Sequence, residues 1–270
     1  MKNEWQPDID RPFRRFLSKV PEVTIWFWIV KILATTVGET FADFLSTTLG
    51  LGLTLTTVAV FDALIVVMIV QLRAGRYVPP LYWLVVMLVG IVGMLITDNL
   101  VDNLDIPLEA TTIALAVALA ATFVLWYRAE RTLSIHTVDT PRREMFYWLA
   151  ILFAFSLGTA AGGLAVARLG LGYAVAAVIL AALIAVIAVA HQRFGFHAVL
   201  AFWLLYILTG PLGAALGDLL SQPADAGGLG LGTVTTSVAF LAVILAVVAY
   251  LSRSRRDAPA LSHNGASWMR

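Results

Sequence analysis

The sequence predicts an all-α integral membrane protein, with eight transmembrane helices built as four parallel, tandem two-helix repeats. Three observations carry this. The 270 residues are 60% hydrophobic and 13% charged, with a mean hydropathy of +0.87, whereas soluble domains carry roughly a quarter charged residues. Eight apolar stretches have the ~20-residue length that a helix needs to cross the hydrocarbon core. Four tryptophans head successive pairs of those stretches.

In chain order, the apolar stretches run roughly over 23–46, 52–72, 81–104, 108–127, 145–167, 171–192, 197–220 and 231–251. They define a membrane domain over 23–252, with repeats of about 23–75, 78–130, 143–194 and 197–252. A polar tail over 1–22 precedes it and a mobile polar tail over 253–270 follows. About twenty polar, proline-containing residues come before the first apolar run, so the start does not read as a removable signal peptide.

Eight spans put both tails on one side, and Lys and Arg choose the side. Lys2, Arg11, Arg14, Arg15, Lys19 and the alternate loops with Arg73, Arg76, Arg128, Arg131, Arg142, Arg143 and Arg193 stand with Arg253, Arg255, Arg256 and Arg270. The opposite loops hold only Arg168. The positive-inside rule then expects a bacterial inner-membrane protein with both termini cytoplasmic. Aromatics at the inner ends of the odd helices, such as Trp26, Trp28, Tyr82, Trp83, Tyr147, Trp148, Phe202 and Trp203, suit an interfacial belt.

The repeats also share internal positions. Trp28, Trp148 and Trp203 lie eleven residues before Glu39, Thr159 and Ala214, and fifteen before Asp43, Gly163 and Asp218. In the second unit the offsets from Trp83 to Asp98 and Asp102 are longer by one helical turn. Two slots per odd helix, four residues apart and so on one face, then read Glu39, Asp98, Thr159, Ala214 and Asp43, Asp102, Gly163, Asp218. Small residues at i,i+4 spacing, Gly38 with Ala42, Gly158 with Gly162 and Gly213 with Gly217, allow close helix approach. After the odd helices come LGLGLTLTT from Leu49, LGLGYAVAA from Leu169 and LGLGTVTTS from Leu229, with IPLEATT from Ile106 as a weaker counterpart. Two spans per unit make these parallel repeats.

Four tandem two-helix units, one tryptophan each, with TTVGETFAD in the first and GxxxGD-like segments later, resemble a bacterial family of membrane-anchored proteins made of a repeat of unknown function. The resemblance covers nearly all of residues 20–252. It implies the fold and supplies no chemistry. Against that pattern Gly163 stands where an Asp is usual, and Gly210 precedes Pro211 where an Arg is usual, which points to a lost or altered part of an ancestral site.

The candidate site is the set of intramembrane acids. At 1.5 Å per residue, Glu39 and Asp43 lie about 22 to 30 Å from the inner start of the first span. Asp98, Asp102 and Asp218 fall at similar depth, and Asp62 sits near the middle of the second span. Asp43, Asp102 and Asp218 also fit as helix-end residues touching water. A carboxylate at bilayer depth costs ~2.5 to 3.5 kcal/mol, so several together need protons or cations. The one basic residue inside a span, Lys31, either snorkels or forms an internal ion pair. Thr35, Thr36 and Thr97 are accessory oxygens or simply bond the carbonyl one turn back. The LGLG segments are tight turns or carbonyl-presenting breaks, and Gly210–Pro211 should kink or interrupt the seventh helix as a hinge.

With no Cys and four His, disulfides and thiolate sites are excluded, and zinc or copper has few ligands. No motif of a nucleotide-binding or hydrolytic enzyme is present, nor a basic surface for nucleic acid. The sequence therefore expects a transporter, not an enzyme. Its partners are the lipid bilayer and a small inorganic cation, a hard divalent ion such as Mn²⁺ or Mg²⁺ or protons exchanged for it, with Glu39, Asp43, Asp98 and Asp102 as first ligands. A membrane sensor or assembly protein with structural acid pairs, or an exporter of organic solute, is the alternative.

Overall fold

A computed structural model describes residues 19–254, 256 and 257; most of both predicted tails lies outside these residues. Eight long apolar helices account for the membrane domain: α1 (Ile25–Asp43), α2 (Gly52–Arg73), α3 (Pro79–Asp98), α4 (Leu108–Glu130), α5 (Pro141–Leu169), α6 (Tyr173–Phe194), α7 (Ala198–Ser221) and α8 (Thr233–Ser254). Each is long and apolar enough to span a bilayer, so the predicted class and repeat number hold. Lys19 and Val20, in the predicted polar tail, are buried against the bundle.

The odd helices form the centre. α1 packs on α3, α3 on α5, α5 on α7 and α7 back on α1, a closed ring of four. The even helices are mostly exposed and lie outside it. Each packs mainly on the first helix of the next repeat: α2 on α3, α4 on α5, α6 on α7 and α8 on α1. The repeats are thus interlocked around an axis along the membrane normal.

Glycine sets the register of the ring. Gly38, Gly93, Gly158 and Gly213 each lie ten residues past their tryptophan, and each faces the next odd helix. A Cβ on Gly38 would stand 3.2 Å from Ile91, one on Gly93 2.9 Å from Phe155, one on Gly158 3.0 Å from Pro211, and one on Gly213 2.6 Å from Thr35. Packing at that closeness fixes the alignment of the repeats without any extra turn in the second. The predicted slots are corrected accordingly. Fifteen residues past each tryptophan stand Asp43, Asp98, Gly163 and Asp218, while Glu39 lies one turn deeper and Asp102 one turn beyond. Chemical likeness of Asp98 and Asp102 to Glu39 and Asp43 is what displaces the second unit by one turn in the sequence alignment.

The aromatic residues do not form a lipid-facing belt. The residue preceding each tryptophan meets the tryptophan of the next odd helix: Phe27 with Trp83 (5.4 Å between ring centroids), Tyr82 with Trp148 (5.5 Å), Tyr147 with Trp203 (6.3 Å) and Phe202 with Trp28 (5.7 Å). This circle closes the bundle near the end where the termini lie; of its members only Trp28 is even partly exposed. Beyond it, Lys19 Nζ reaches across to Glu144 Oε2 (2.7 Å) and the Leu72 carbonyl (3.0 Å), and Gln71 Nε2 donates to Glu144 Oε1 (3.0 Å).

At the far end the returns are tight turns. Gly50, Gly170 and Gly230 have φ of +68°, +60° and +71°, and Asp105 takes the same place in the second repeat at φ 51°. Aspartate is among the few residues that tolerate this region. The weaker copy of the return therefore begins at Leu104, two residues before the predicted Ile106.

Candidate functional site

A cavity of about 470 Å³ opens at the far end between α1, α3 and α7. Glu39, Asp43, Asp98, Asp102 and Asp218 all line it. Five of the six predicted acids are thus brought together, although they come from positions 39 to 218 of the chain. Asp62 is not among them: it lies on the exposed face of α2, because even helices turn only one stripe inward and that stripe carries Val60 and Leu64.

The carboxylates are differently held. Asp43 accepts from the Thr47 hydroxyl (3.1 Å) and Asp218 faces the Gln222 amide (3.5 Å). Among the described residues Glu39, Asp98 and Asp102 accept no hydrogen bond from another side chain. No three His, Asp or Glu side chains among the described residues stand close enough to grip one metal ion. The predicted metal set of Glu39, Asp43, Asp98 and Asp102 is therefore dispersed over a cavity wall. Such a wall suits protons or a cation that keeps part of its water shell, as Mg²⁺ does.

Two features of the local fold centre on this cavity. Directly after Asp43 and Asp98, at equivalent positions, α1 and α3 wind into π-helical turns, Phe44–Thr48 and Asn99–Asn103. π turns are rare and recur at functional sites. The second turn is held by side chains: Asn103 Nδ2 donates to Asn99 Oδ1 (2.7 Å), and Asn99 Nδ2 to Thr57 Oγ1 (2.7 Å) on α2. The helices of repeats three and four have no such turn among the described residues, and the acid is absent at Gly163.

The accessory predictions resolve differently. Thr35 bonds the Lys31 carbonyl (2.9 Å). Thr36 shares its hydroxyl between Ile32 O and Gly213 O (2.9 Å to the latter), and Thr97 reaches Ser156 O (3.0 Å) on α5. Thr36 and Thr97 thereby tie helices together, Thr35 bonds only within α1, and none of the three lines the cavity. Its neutral oxygens come instead from Thr40, Ser46, Thr47, Ser221, Gln222 and Thr233, none of which sequence reasoning singled out. Spacing was the available signal, since Thr47 and Gln222 each follow an acid by four residues. At the predicted hinge, Gly210–Pro211, the helix is not interrupted. α7 runs unbroken through Pro211, whose ring fits the groove made by Gly158 and Gly162. That seat on α5 holds the helix continuous where a proline alone would break it.

Lys31 neither snorkels nor pairs with an acid. Its ammonium lies 3.9 Å from the Phe155 ring centroid and 4.4 Å from that of Tyr206, with Thr35 Oγ1 at 3.4 Å. It stands two turns below Glu39, between the acid cavity and the aromatic circle. A larger cavity, about 650 Å³ and mostly apolar, lies elsewhere, between α1, α6 and α7 near the termini end.

Fold and cavity together define a polytopic membrane protein of four quasi-equivalent two-helix repeats around a one-sided acidic cavity. The chain belongs to the family described as Repeat of Unknown Function (DUF347), whose repeat matches residues 26–77, 81–132, 146–195 and 201–257. The four matches coincide with the four helix pairs. No curated protein and no solved structure matches the chain.

Proposed function

We propose that this protein is a transporter of a hard cation, with the acidic cavity as its binding site. The divalent class of Mg²⁺ or Mn²⁺, partly hydrated and exchanged for protons, is the expected cargo. In this reading the protein sits in a bacterial inner membrane, the arginine-bearing loops and both termini face the cytoplasm, and the cavity faces out. The observation that carries it is one-sidedness: five carboxylates line a cavity open at one end of the bundle, while Lys31, Phe155, Tyr206 and the aromatic circle fill its other half. A charged site reached from one side and closed to the other fits one state of an alternating-access cycle.

Purified protein in sealed vesicles tests it. Wild type should move Mn²⁺ or Mg²⁺ across the bilayer, and Glu39→Gln combined with Asp98→Asn should stop it. Unchanged flux in that double variant would remove the site. No flux of any cation in wild type would favour a sensor or assembly role, in which the acids serve structure alone.

The apolar cavity between α1, α6 and α7 supports a second reading, export of an organic or amphipathic solute. Trp28, Phe202, His136 and His191 line it, a mix of apolar wall and polar rim suited to an amphiphile. Competition of such a solute with cation flux would distinguish the two.

A further inference from the structure

Lys31 is wholly buried, and no carboxylate among the described residues lies within 4.0 Å of it. Its ammonium is instead enclosed by side chains from three helices: the Phe155 face from α5, the Tyr206 face from α7 and the Thr35 hydroxyl from its own helix. Thr35 donates its proton to the Lys31 carbonyl (2.9 Å), which leaves its oxygen free to accept from the ammonium. The fold makes room for this arrangement. A Cβ on Gly90 would stand 3.0 Å from the Phe155 ring, so the ring reaches its place only because α3 gives up a side chain there.

Two aromatic faces and one oxygen around an ammonium form the geometry by which proteins bind free organic ammonium ions. We propose that Phe155, Tyr206 and Thr35 constitute an inner cation subsite for monovalent ammonium-type ions, which the protein occupies with its own Lys31. Lys31, Thr35, Glu39 and Asp43 recur every four residues on α1, so one stripe of a single helix leads from the acidic cavity to the subsite. The tethered ammonium stands as a stopper at the inner end of that stripe. A cation leaving the cavity inward has to displace it. The order of the two subsites rests on the transport reading; the aromatic cage itself does not.

Detergent-purified full chain and ethylammonium test the subsite. Lys31→Ala empties the cage, and its melting temperature should rise saturably with added ethylammonium, while wild type, whose cage is filled, should not respond. Adding Phe155→Leu to Lys31→Ala should weaken the response about tenfold, the worth of a desolvated cation–π contact. An absent response in folded Lys31→Ala, an equal response in wild type, or a response that survives loss of both rings overturns the proposal.

A second measurement needs no emptied cage. Phe155→Leu should lower the melting temperature more in wild type than in Lys31→Met, which keeps the stem and loses the charge; equal losses overturn it. Glu39→Gln changes only the outer cavity and should leave the ethylammonium response of Lys31→Ala intact. Failure of vesicle flux with this response retained overturns the transport reading and keeps the subsite.

Discussion

The rings of Phe202 on α7 and Trp28 on α1, 5.7 Å apart between centroids, join the last repeat to the first. They complete a circle in which the same pair of positions meets four times, and it explains why each repeat carries a tryptophan. Each such contact is worth roughly 0.5 to 1.5 kcal/mol beyond burial. Trp148→Leu, in the middle of the circle, should cost about 3 kcal/mol from lost ring contacts and the void left behind, measured by denaturant unfolding in mixed micelles.

The four ring glycines should be intolerant of any side chain. Gly213→Ala places a Cβ 2.6 Å from Thr35 and should destabilise by about 1 to 3 kcal/mol. Gly163 is the contrast: a Cβ there meets only Leu108 at 3.6 Å. Gly163→Asp should therefore fold as well as wild type. It restores an acid at the level of Asp43, Asp98 and Asp218, and expected with it is tighter Mn²⁺ binding in titration calorimetry.

Asp62 supplies the internal control for the cavity. Like the others it is an acid within an apolar span, yet it lies on the exposed face of α2. Asp62→Asn should leave cation flux unchanged, whereas Asp98→Asn should reduce it at least tenfold; equal losses in both would mean that acidity, not cavity position, is what matters.

The absence of cysteine makes accessibility measurable without background. A single cysteine replacing Asp98 should react with a membrane-impermeant thiol reagent added outside intact cells, and one replacing Ser134, on the α4–α5 loop, should react only after permeabilisation. The reverse pattern would invert the proposed orientation.

Glu144 is buried against Lys19, Gln71 and Trp148. Glu144→Gln leaves the Lys19 charge buried without its partner and should cost about 3 to 5 kcal/mol, whereas Lys19→Met with Glu144→Leu together should recover most of that loss. Nearby, Tyr77 donates to Asp257 at 2.5 Å, and burial together with that carboxylate raises its phenol above the ordinary value. A raised value means that the bond is fully present below the unfolded value near pH ~10 and is lost only as the pH rises through the folded one. The stability gap between wild type and Tyr77→Phe should thus stay constant from pH 6 to 9 in thermal melts.

Much of this was legible in the sequence. Span length and the tryptophan period give eight helices in four units, and the acids of the first, second and fourth units do share a cavity. The alignment of the second unit was not recovered, because Asp98 and Asp102 resemble Glu39 and Asp43 chemically while the true register is set by Gly93, whose role appears only when Phe155 packs against it. Lys31 was unreadable for a related reason. Its partners are rings 124 and 175 residues away, and no local pattern announces a cation–π cage. The interleaving of even helices with the following repeat also left no trace in any single unit.

That interleaving has a consequence for biogenesis. Since α8 is the outer neighbour of α1, α1 lacks part of its surroundings until α8 has been inserted. Three repeats cannot close by themselves, and a chain halted before α8 presents an open flank to which the final helix of another copy can bind. New ends cut between repeats would leave every neighbour in place, so circularly permuted chains should assemble as the original does.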